Sequence, residues 1–148
     1  PATRARRMSQ GSPQVAIGLG CDRCTPLATV LHTLDAALAK VGLVRAQVRV
    51  LATIEAKHDE AAFLELAALG GWPLQFYSAA ELAAVPVPNP SSTVLRYMGT
   101  PSVSEAAALL AAGTEASHLL VEKFKFQGVD GKNATISIAR IPHDTHHF

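Results

Sequence analysis

The sequence predicts an α/β domain of three layers, in which helices cover both faces of a mixed, mainly parallel central sheet that ends in an antiparallel hairpin. Three observations support this prediction. Short apolar runs alternate with segments of helical periodicity, glycines and prolines mark the junctions, and the last part of the chain has two alternating segments around an Asp-Gly pair. Strands that alternate with helices favour parallel pairing, whereas an Asp-Gly turn is typical of a hairpin.

The first predicted unit is a strand, a glycine-containing loop and a helix. An apolar run that ends at Gly18 and Gly20 predicts the strand. Thr25 is the expected N-cap of the helix that follows, with Pro26 in its first turn. Apolar residues at helical spacing then continue to Gly42, a residue type that favours a helix C-terminus.

The middle of the chain predicts two more strands and two more helices. Segments 47–57 and 72–79 have strand patterns, and segment 59–71 between them has a helical one. Ser78 and Glu81 have the spacing of a capping box, which predicts a short helix after the third strand.

The remaining elements follow a proline-rich crossing. Three prolines predict an extended, non-helical segment over 86–94. An alanine-rich helix is expected from Ser102 to Gly113. The last two strands are expected on either side of a turn at Asp130 and Gly131.

Composition predicts one domain over residues 15–142, between a flexible extension, 1–14, and a flexible His-rich tail, 143–148. The 148 residues are 49% hydrophobic and 17% charged, and the net charge is +1. A charge so near zero argues against a dedicated nucleic-acid binder, which would normally show a strong basic stripe. No apolar run has the length of a membrane span, and the N-terminus lacks the apolar region of a secretory signal. We therefore expect a cytoplasmic protein that uses neither nucleic acid nor membrane as a partner.

The loop GLGCDRCTP, residues 18–26, raises several alternatives. Cys21 and Cys24 have the spacing of a redox pair or of half a zinc site, but a structural zinc needs four ligands. A phosphate loop lacks its Gly-Lys-Ser/Thr, and a dinucleotide loop lacks its third glycine. An anion receptor needs only open backbone, a helix N-terminus and a cation such as Arg23. A tight turn with a solvated arginine fits equally well. We expect no cofactor and no metal.

Four segments together resemble the C-terminal domain of the cobalamin-biosynthesis protein CbiG and its free-standing relatives of the CobE type. They are VAIGLGCDRCTP, VLATIEAKHDEAAFLELAALGGWPLQFYSAAEL, GTPSVSEAAALLAAG and LLVEKFKFQGVDGKNATISIARI, and they span residues 15–141. Because no other domain precedes them, we expect the free-standing form, which is similar to proteins of the aerobic pathway. Cys24 departs from the family pattern, which usually has a small residue there, and this argues against a functional cysteine pair.

The resemblance places the family's motif positions on a defined set of residues. They are Gly18, Gly20, Cys21, Arg23, Thr53, Lys57, Glu60, Gly99, Ser102, Glu105 and Lys123. The candidate ligand-binding residues are Gly18, Gly20, Cys21, Arg23, Thr25, Thr53, Lys57, Ser102, Glu105 and Lys123. Some of them have simpler explanations, since Lys57 can pair with Glu60 and Glu105 can favour the dipole of its own helix. His32 and His118 are expected at the surface, and the tail histidines could bind metal adventitiously.

The resemblance implies a role on a corrinoid or precorrin intermediate of cobalamin synthesis. Such molecules carry several carboxylates around a flat, apolar ring, so a receptor needs spaced cations and an apolar floor. We expect a binding protein that serves as a carrier or accessory protein of the pathway, whose other enzymes are further candidate partners. The alternative is an enzyme that performs hydrolysis or acid–base chemistry on the intermediate, with Cys21, Lys57 or Glu105 as catalytic candidates.

Overall fold

The computed structural model describes residues 13–142, so nearly all of the predicted extension and the whole predicted tail lie outside the described residues. Five strands form one sheet in the order β3-β2-β1-β5-β4. They are β1 (Val15–Cys21), β2 (Val48–Ile54), β3 (Leu74–Tyr77), β4 (Leu119–Gln127) and β5 (Asn133–Arg140). β1 pairs in parallel with β2, and β2 with β3, whereas β5 is antiparallel to both of its neighbours. Four strands therefore run in one direction, which confirms the predicted mixed α/β fold.

Five α-helices connect the strands within the described part of the chain. They are α1 (Leu27–Lys40), α2 (Ala61–Gly70), α3 (Ala79–Ala83), α4 (Ser92–Met98) and α5 (Ser104–Ala112). The capping box of Ser78 and Glu81 is confirmed at the start of α3. The predicted hairpin between β4 and β5 is also present, and Gly131 in its turn has a φ of 86°.

Helix α4 was not expected, and the extended prediction is wrong over residues 92–94. The backbone restriction imposed by the prolines ends at Pro90, and the caps of the helix follow at once. Ser91 accepts a hydrogen bond from the backbone N–H of Val94, and Gly99 ends the helix with a φ of 78°. No residue of α4 is fully buried.

The start of α1 also differs from the prediction. The helix begins one residue later than expected, and Pro26 rather than Thr25 occupies its N-cap position. The Thr25 hydroxyl donates instead to the carbonyl oxygen of Asp22, at 2.6 Å. Thr25 therefore closes the loop before the helix and does not cap it.

The two faces of the sheet are packed by different kinds of side chain. Large aliphatic residues of β1, such as Ile17 and Leu19, pack against α1 and α2. On the opposite face, β1 presents Ala16 and Gly18 to the alanines of α5. A Cβ on Gly18 would overlap the carbonyl oxygen of Ser104, so α5 lies unusually close to the sheet. Within residues 13–142 we find no helix that combines the length and the apolar character needed to cross a membrane.

Candidate functional site

A cleft of about 870 Å³ opens at the carboxyl-terminal ends of β1 and β2, on the face of the sheet that α5 covers. The loops that follow these two strands form one wall. Helix α4, the beginning of α5 and the neighbouring part of the β4–β5 hairpin form the other. Ligands bind preferentially at this end of parallel strands, so the cleft is the candidate site.

The loop after β1 is held firmly at the entrance of the cleft. The Asp22 carboxylate accepts hydrogen bonds from the backbone N–H of Asn133, at 2.7 Å, and from its side-chain amide, at 3.1 Å. Lys132 donates to the carbonyl oxygen of Arg23, at 2.9 Å. The Asp22 carboxylate is therefore occupied by hydrogen bonds to the hairpin. Cys24, in the same loop, adopts a left-handed backbone conformation with a φ of 63°.

Lys57 connects the two loops of this wall. Its Nζ donates to the carbonyl oxygen of Cys21, at 2.7 Å, and lies 3.7 Å from Oε1 of Glu60. The Lys57 and Glu60 side chains are 11% and 3% exposed. The other Glu60 oxygen accepts the backbone N–H of Cys24, whereas Oε1 is buried without a hydrogen-bond partner. Lys57 thus lines the cleft and also lies beside a buried carboxylate.

Arg23 presents a far more accessible cation. Its side chain is 59% exposed and makes only long contacts, 3.4 Å to Asp59 and 3.5 Å to the carbonyl oxygen of Ala56. The hydrogen bond from Arg23 lowers the pKa of Asp59. Exposed pairs of this kind contribute little to stability, so the guanidinium can turn toward an anionic ligand at low cost.

Cys21 lines the cleft as a protonated thiol. Burial raises its pKa to about 11, and the nearby positive charge of Lys57 only partly opposes this effect. The thiolate is the reactive form of cysteine, so Cys21 is poorly suited to be a nucleophile at neutral pH. Both Cys21 and Cys24 are free thiols.

The opposite wall combines apolar and basic groups. Helix α4 contributes Val94, Tyr97 and Met98, while β4 contributes Lys123 and Lys125. The sequence reasoning missed all of these except Lys123. The two-residue spacing of the lysines puts both side chains on one face of a strand, and this signal could have identified Lys125. Nothing comparable pointed to α4, because that helix itself was not predicted.

The ten predicted ligand-binding residues divide into two groups of equal size. Those that line the cleft are Gly20, Cys21, Arg23, Lys57 and Lys123. Those that lie outside its lining are Gly18, Thr25, Thr53, Ser102 and Glu105.

Hydrogen bonds and packing explain the second group. Gly18 allows the close approach of α5, and the buried Thr53 hydroxyl donates to the carbonyl oxygen of Leu19, at 2.8 Å. Ser102 donates to the Glu105 carboxylate, at 3.2 Å. These residues shape the walls of the cleft from behind.

The described residues offer no metal centre. Among residues 13–142, no group of three or more His, Cys, Asp and Glu side chains could hold an ion. His32 packs against the ring of Phe126, with 4.2 Å between the ring centroids. The tail histidines expected to bind metal adventitiously lie outside the described residues.

Comparison of the sequence with known proteins identifies the family to which the chain belongs. Residues 15–139 match the model of the family described as Cobalamin synthesis G C-terminus. The chain is 40% identical over 111 residues to Protein CobE of Sinorhizobium sp, which covers 74% of this chain and 71% of that protein. It is 38% identical over 130 residues to the cobalt-precorrin-5A hydrolase of Priestia megaterium, which covers 88% of this chain but only 33% of the hydrolase. The chain thus spans about a third of the hydrolase that it matches.

A solved structure supports the same assignment. The crystal structure of CobE, a protein from the cobalamin (vitamin B12) biosynthetic pathway, superposes with a TM-score of 0.74 at 32% sequence identity. The match covers 86% of this chain and 93% of the CobE chain. The family model, the sequence relatives and the fold agree, and the chain belongs to the cobalamin-biosynthesis family of CobE and the CbiG C-terminal domain.

Proposed function

We propose that this protein binds a corrinoid or precorrin intermediate of cobalamin synthesis through the carboxylates of the intermediate, as a carrier or accessory protein of the pathway. One observation carries the proposal: four basic side chains from three parts of the chain line a single cleft. They are Arg23 after β1, Lys57 after β2, and Lys123 and Lys125 on β4. The one acidic residue of the lining, Asp22, is bound to the hairpin.

The apolar part of the cleft suits the ring of such a ligand. Val94, Tyr97 and Met98 of α4 and Val103 before α5 supply apolar surface in the same cleft as the cations. The Tyr97 side chain is 74% exposed, which leaves its aromatic face free to cover a flat ring. A macrocycle against this wall could direct carboxylates toward cations on both sides.

The number of cations is sufficient for useful affinity. A hydrogen bond to a charged group contributes about 1.5–3 kcal/mol net. Contacts with Arg23, Lys57 and Lys123 would together contribute roughly 5–9 kcal/mol before ordering costs. Micromolar affinity corresponds to about 8 kcal/mol, so binding needs no covalent step.

The enzymatic alternative has weaker support. The Priestia megaterium relative is a hydrolase, but two thirds of that protein has no counterpart in this chain. Of the three catalytic candidates, Cys21 is protonated, Glu105 is buried outside the lining of the cleft, and Lys57 is hydrogen-bonded to a backbone carbonyl. This arrangement favours binding over catalysis.

The direct test is an absorbance titration with two corrinoid probes. Cobyrinic acid has free carboxylates around the corrin ring, and its heptamethyl ester has the same ring with none. We expect micromolar binding of the acid, weakening with added salt, and much weaker binding of the ester. Equal affinity for both probes, or no binding of the acid, would refute the proposal. Conversion of a supplied precorrin to a new product would favour the enzymatic alternative.

A further inference from the structure

Asn89 makes more polar contacts than its place in a proline-rich loop suggests. Its side-chain amide donates to Oε2 of Glu105, at 2.7 Å, and to Oε1 of Glu122, at 2.8 Å. Its backbone N–H donates to the other Glu105 oxygen, at 3.3 Å. Its carbonyl oxygen accepts from Nζ of Lys123, at 2.7 Å. One residue therefore joins the loop before α4 to α5 and to β4.

The contact with Glu105 is a rigid anchor. The Glu105 side chain is fully buried on α5, the helix that packs against β1. Its carboxylate accepts hydrogen bonds from Asn89 and from the Ser102 hydroxyl. A buried carboxylate needs such donors, because leaving it without them is costly. The pairing therefore fixes the position of Asn89 relative to the core.

Helix α4 depends on this anchor because its own packing is limited to two partly buried side chains, Val94 and Met98, against the core. None of its residues is fully buried, and Leu95 and Tyr97 are 49% and 74% exposed. The loop before it contains three prolines, and Gly99 follows it. A backbone hydrogen bond from Ser91 to the carbonyl oxygen of Pro101 adds a second tie. The contacts of Asn89 therefore set where the apolar wall of the cleft stands.

Lys123 depends on the same residue. Its ammonium group is held by the Asn89 carbonyl oxygen, whereas Lys125 has no hydrogen-bond or ion-pair partner among residues 13–142. The two lysines share one face of β4, and only Lys123, the less exposed of the two, is hydrogen-bonded to Asn89. This difference provides an internal control.

We infer that Asn89 is a positioning residue of the cleft, which holds the ammonium group of Lys123 and the α4 wall in place for an anionic ring ligand. The inference rests on the proposed function for the identity of that ligand. Asn89 acts through its neighbours and is not itself required to touch the ligand. A purely stabilising residue would affect folding but not the affinity of the folded protein.

A double-mutant cycle tests the link to Lys123, with cobyrinic acid as the probe. We expect Asn89→Ala and Lys123→Met each to weaken binding about tenfold, as for a lost contact to a charged group. Asn89→Ala keeps the backbone carbonyl oxygen that accepts from Lys123 but removes the side-chain hydrogen bonds to Glu105 and Glu122 that hold this carbonyl in place. The pair Asn89→Ala/Lys123→Met should therefore bind more tightly than the product of the two single effects predicts, because part of the effect of Asn89→Ala acts through Lys123. By contrast, the effects of Asn89→Ala and Lys125→Met should multiply. Unchanged affinity in Asn89→Ala, or full multiplication with Lys123→Met, would overturn the inference.

Hydrogen exchange without ligand provides a second readout. Backbone amides of α4 should exchange faster in Asn89→Ala than in the parent, while those of β1 stay unchanged; equal exchange in α4 would contradict the inference. If Asn89→Ala does not fold, Asn89→Ser keeps one donor for Glu105 and takes its place. Failure of the parent to bind cobyrinic acid would refute the proposed function, and exchange in α4 would then decide whether Asn89 positions the wall.

Discussion

Nζ of Lys57 lies 2.7 Å from the carbonyl oxygen of Cys21, so the loop after β2 is tied to the end of β1. The same ammonium group is 3.7 Å from the buried Glu60 carboxylate. The sequence left open whether Lys57 pairs with Glu60 or meets a ligand. The structure places Lys57 where it can do both, since it approaches Glu60 and also lines the cleft.

Replacement of this lysine should therefore weaken the fold as well as the site. Lys57→Met removes the positive charge that lies 3.7 Å from the buried Glu60 carboxylate, and we expect a loss of about 1–3 kcal/mol in the free energy of unfolding. Urea unfolding measures this loss. Lys40→Met removes a lysine that lies over the Phe124 ring, away from the cleft, and is the matched control. Equal stabilities of the two variants would show that Glu60 does not need Lys57.

Reversal of the Arg23 charge should affect binding but not folding. Arg23→Glu places a carboxylate where we expect the ligand's carboxylates, so the affinity for cobyrinic acid should fall by more than the loss of one contact. The side chain is 59% exposed, and exposed substitutions usually change stability by no more than about 0.5 kcal/mol. Titration at low and high salt measures the effect. The control is Arg49→Glu, because Arg49 is exposed and lies outside the cleft lining, and this variant should bind like the parent. Equal weakening of binding by the two variants would indicate a nonspecific charge effect.

The two glycines of β1 should respond very differently to an added methyl group. A Cβ on Gly18 would overlap the backbone of Ser104, whereas a Cβ on Gly20 would lie 3.7 Å from Thr135, an ordinary contact. Overpacking typically costs about 1–3 kcal/mol, and more where backbone must move. We expect Gly18→Ala to lower the melting temperature by many degrees and Gly20→Ala to change it little. Similar melting temperatures for the two variants would contradict the close approach of α5.

The two thiols should be distinguished by alkylation. Cys24 is exposed, whereas burial raises the pKa of Cys21 to about 11. Because only the thiolate reacts, the rate for Cys21 should keep increasing with pH beyond 9 and be half-maximal only near pH 11. Mass spectrometry after timed exposure to iodoacetamide gives both rates. A Cys21 rate that is half-maximal near pH 9 would show an ordinary thiol and reopen its role as a nucleophile.

The elements of the fold that could be predicted are those with a strong local sequence pattern. The alternation of β4 and β5 around Asp130 and Gly131 is recognisable without tertiary information, and so is the capping box before α3. Helix α4 is not recognisable in this way. The helix has only seven residues and none is fully buried, so it is too short for a clear periodic pattern. Its caps also follow a run of prolines that suggests extended chain.

The lining of the candidate cleft was predictable from the sequence in the loops after β1 and β2, and less so elsewhere. Arg23 and Lys57 lie in motif segments and also line the cleft. Thr53 and Glu105 lie in motif segments as well, but their side chains are buried in hydrogen bonds that support the walls. Sequence alone does not separate these two uses of a polar residue. The contacts of Asn89 depend on where three distant elements meet, which no local pattern indicates.

The position of the ligand is the central claim, and methionine methyl NMR tests it most directly. The chain has two methionines, Met98 on the α4 wall of the cleft and Met8 outside the described residues. With ¹³C-methyl methionine, the Met98→Leu variant assigns both signals. We predict that cobyrinic acid shifts the Met98 signal in step with saturation of the absorbance titration, and that the heptamethyl ester does not. Saturable binding of the acid with an unmoved Met98 signal would place the ligand elsewhere and contradict the account.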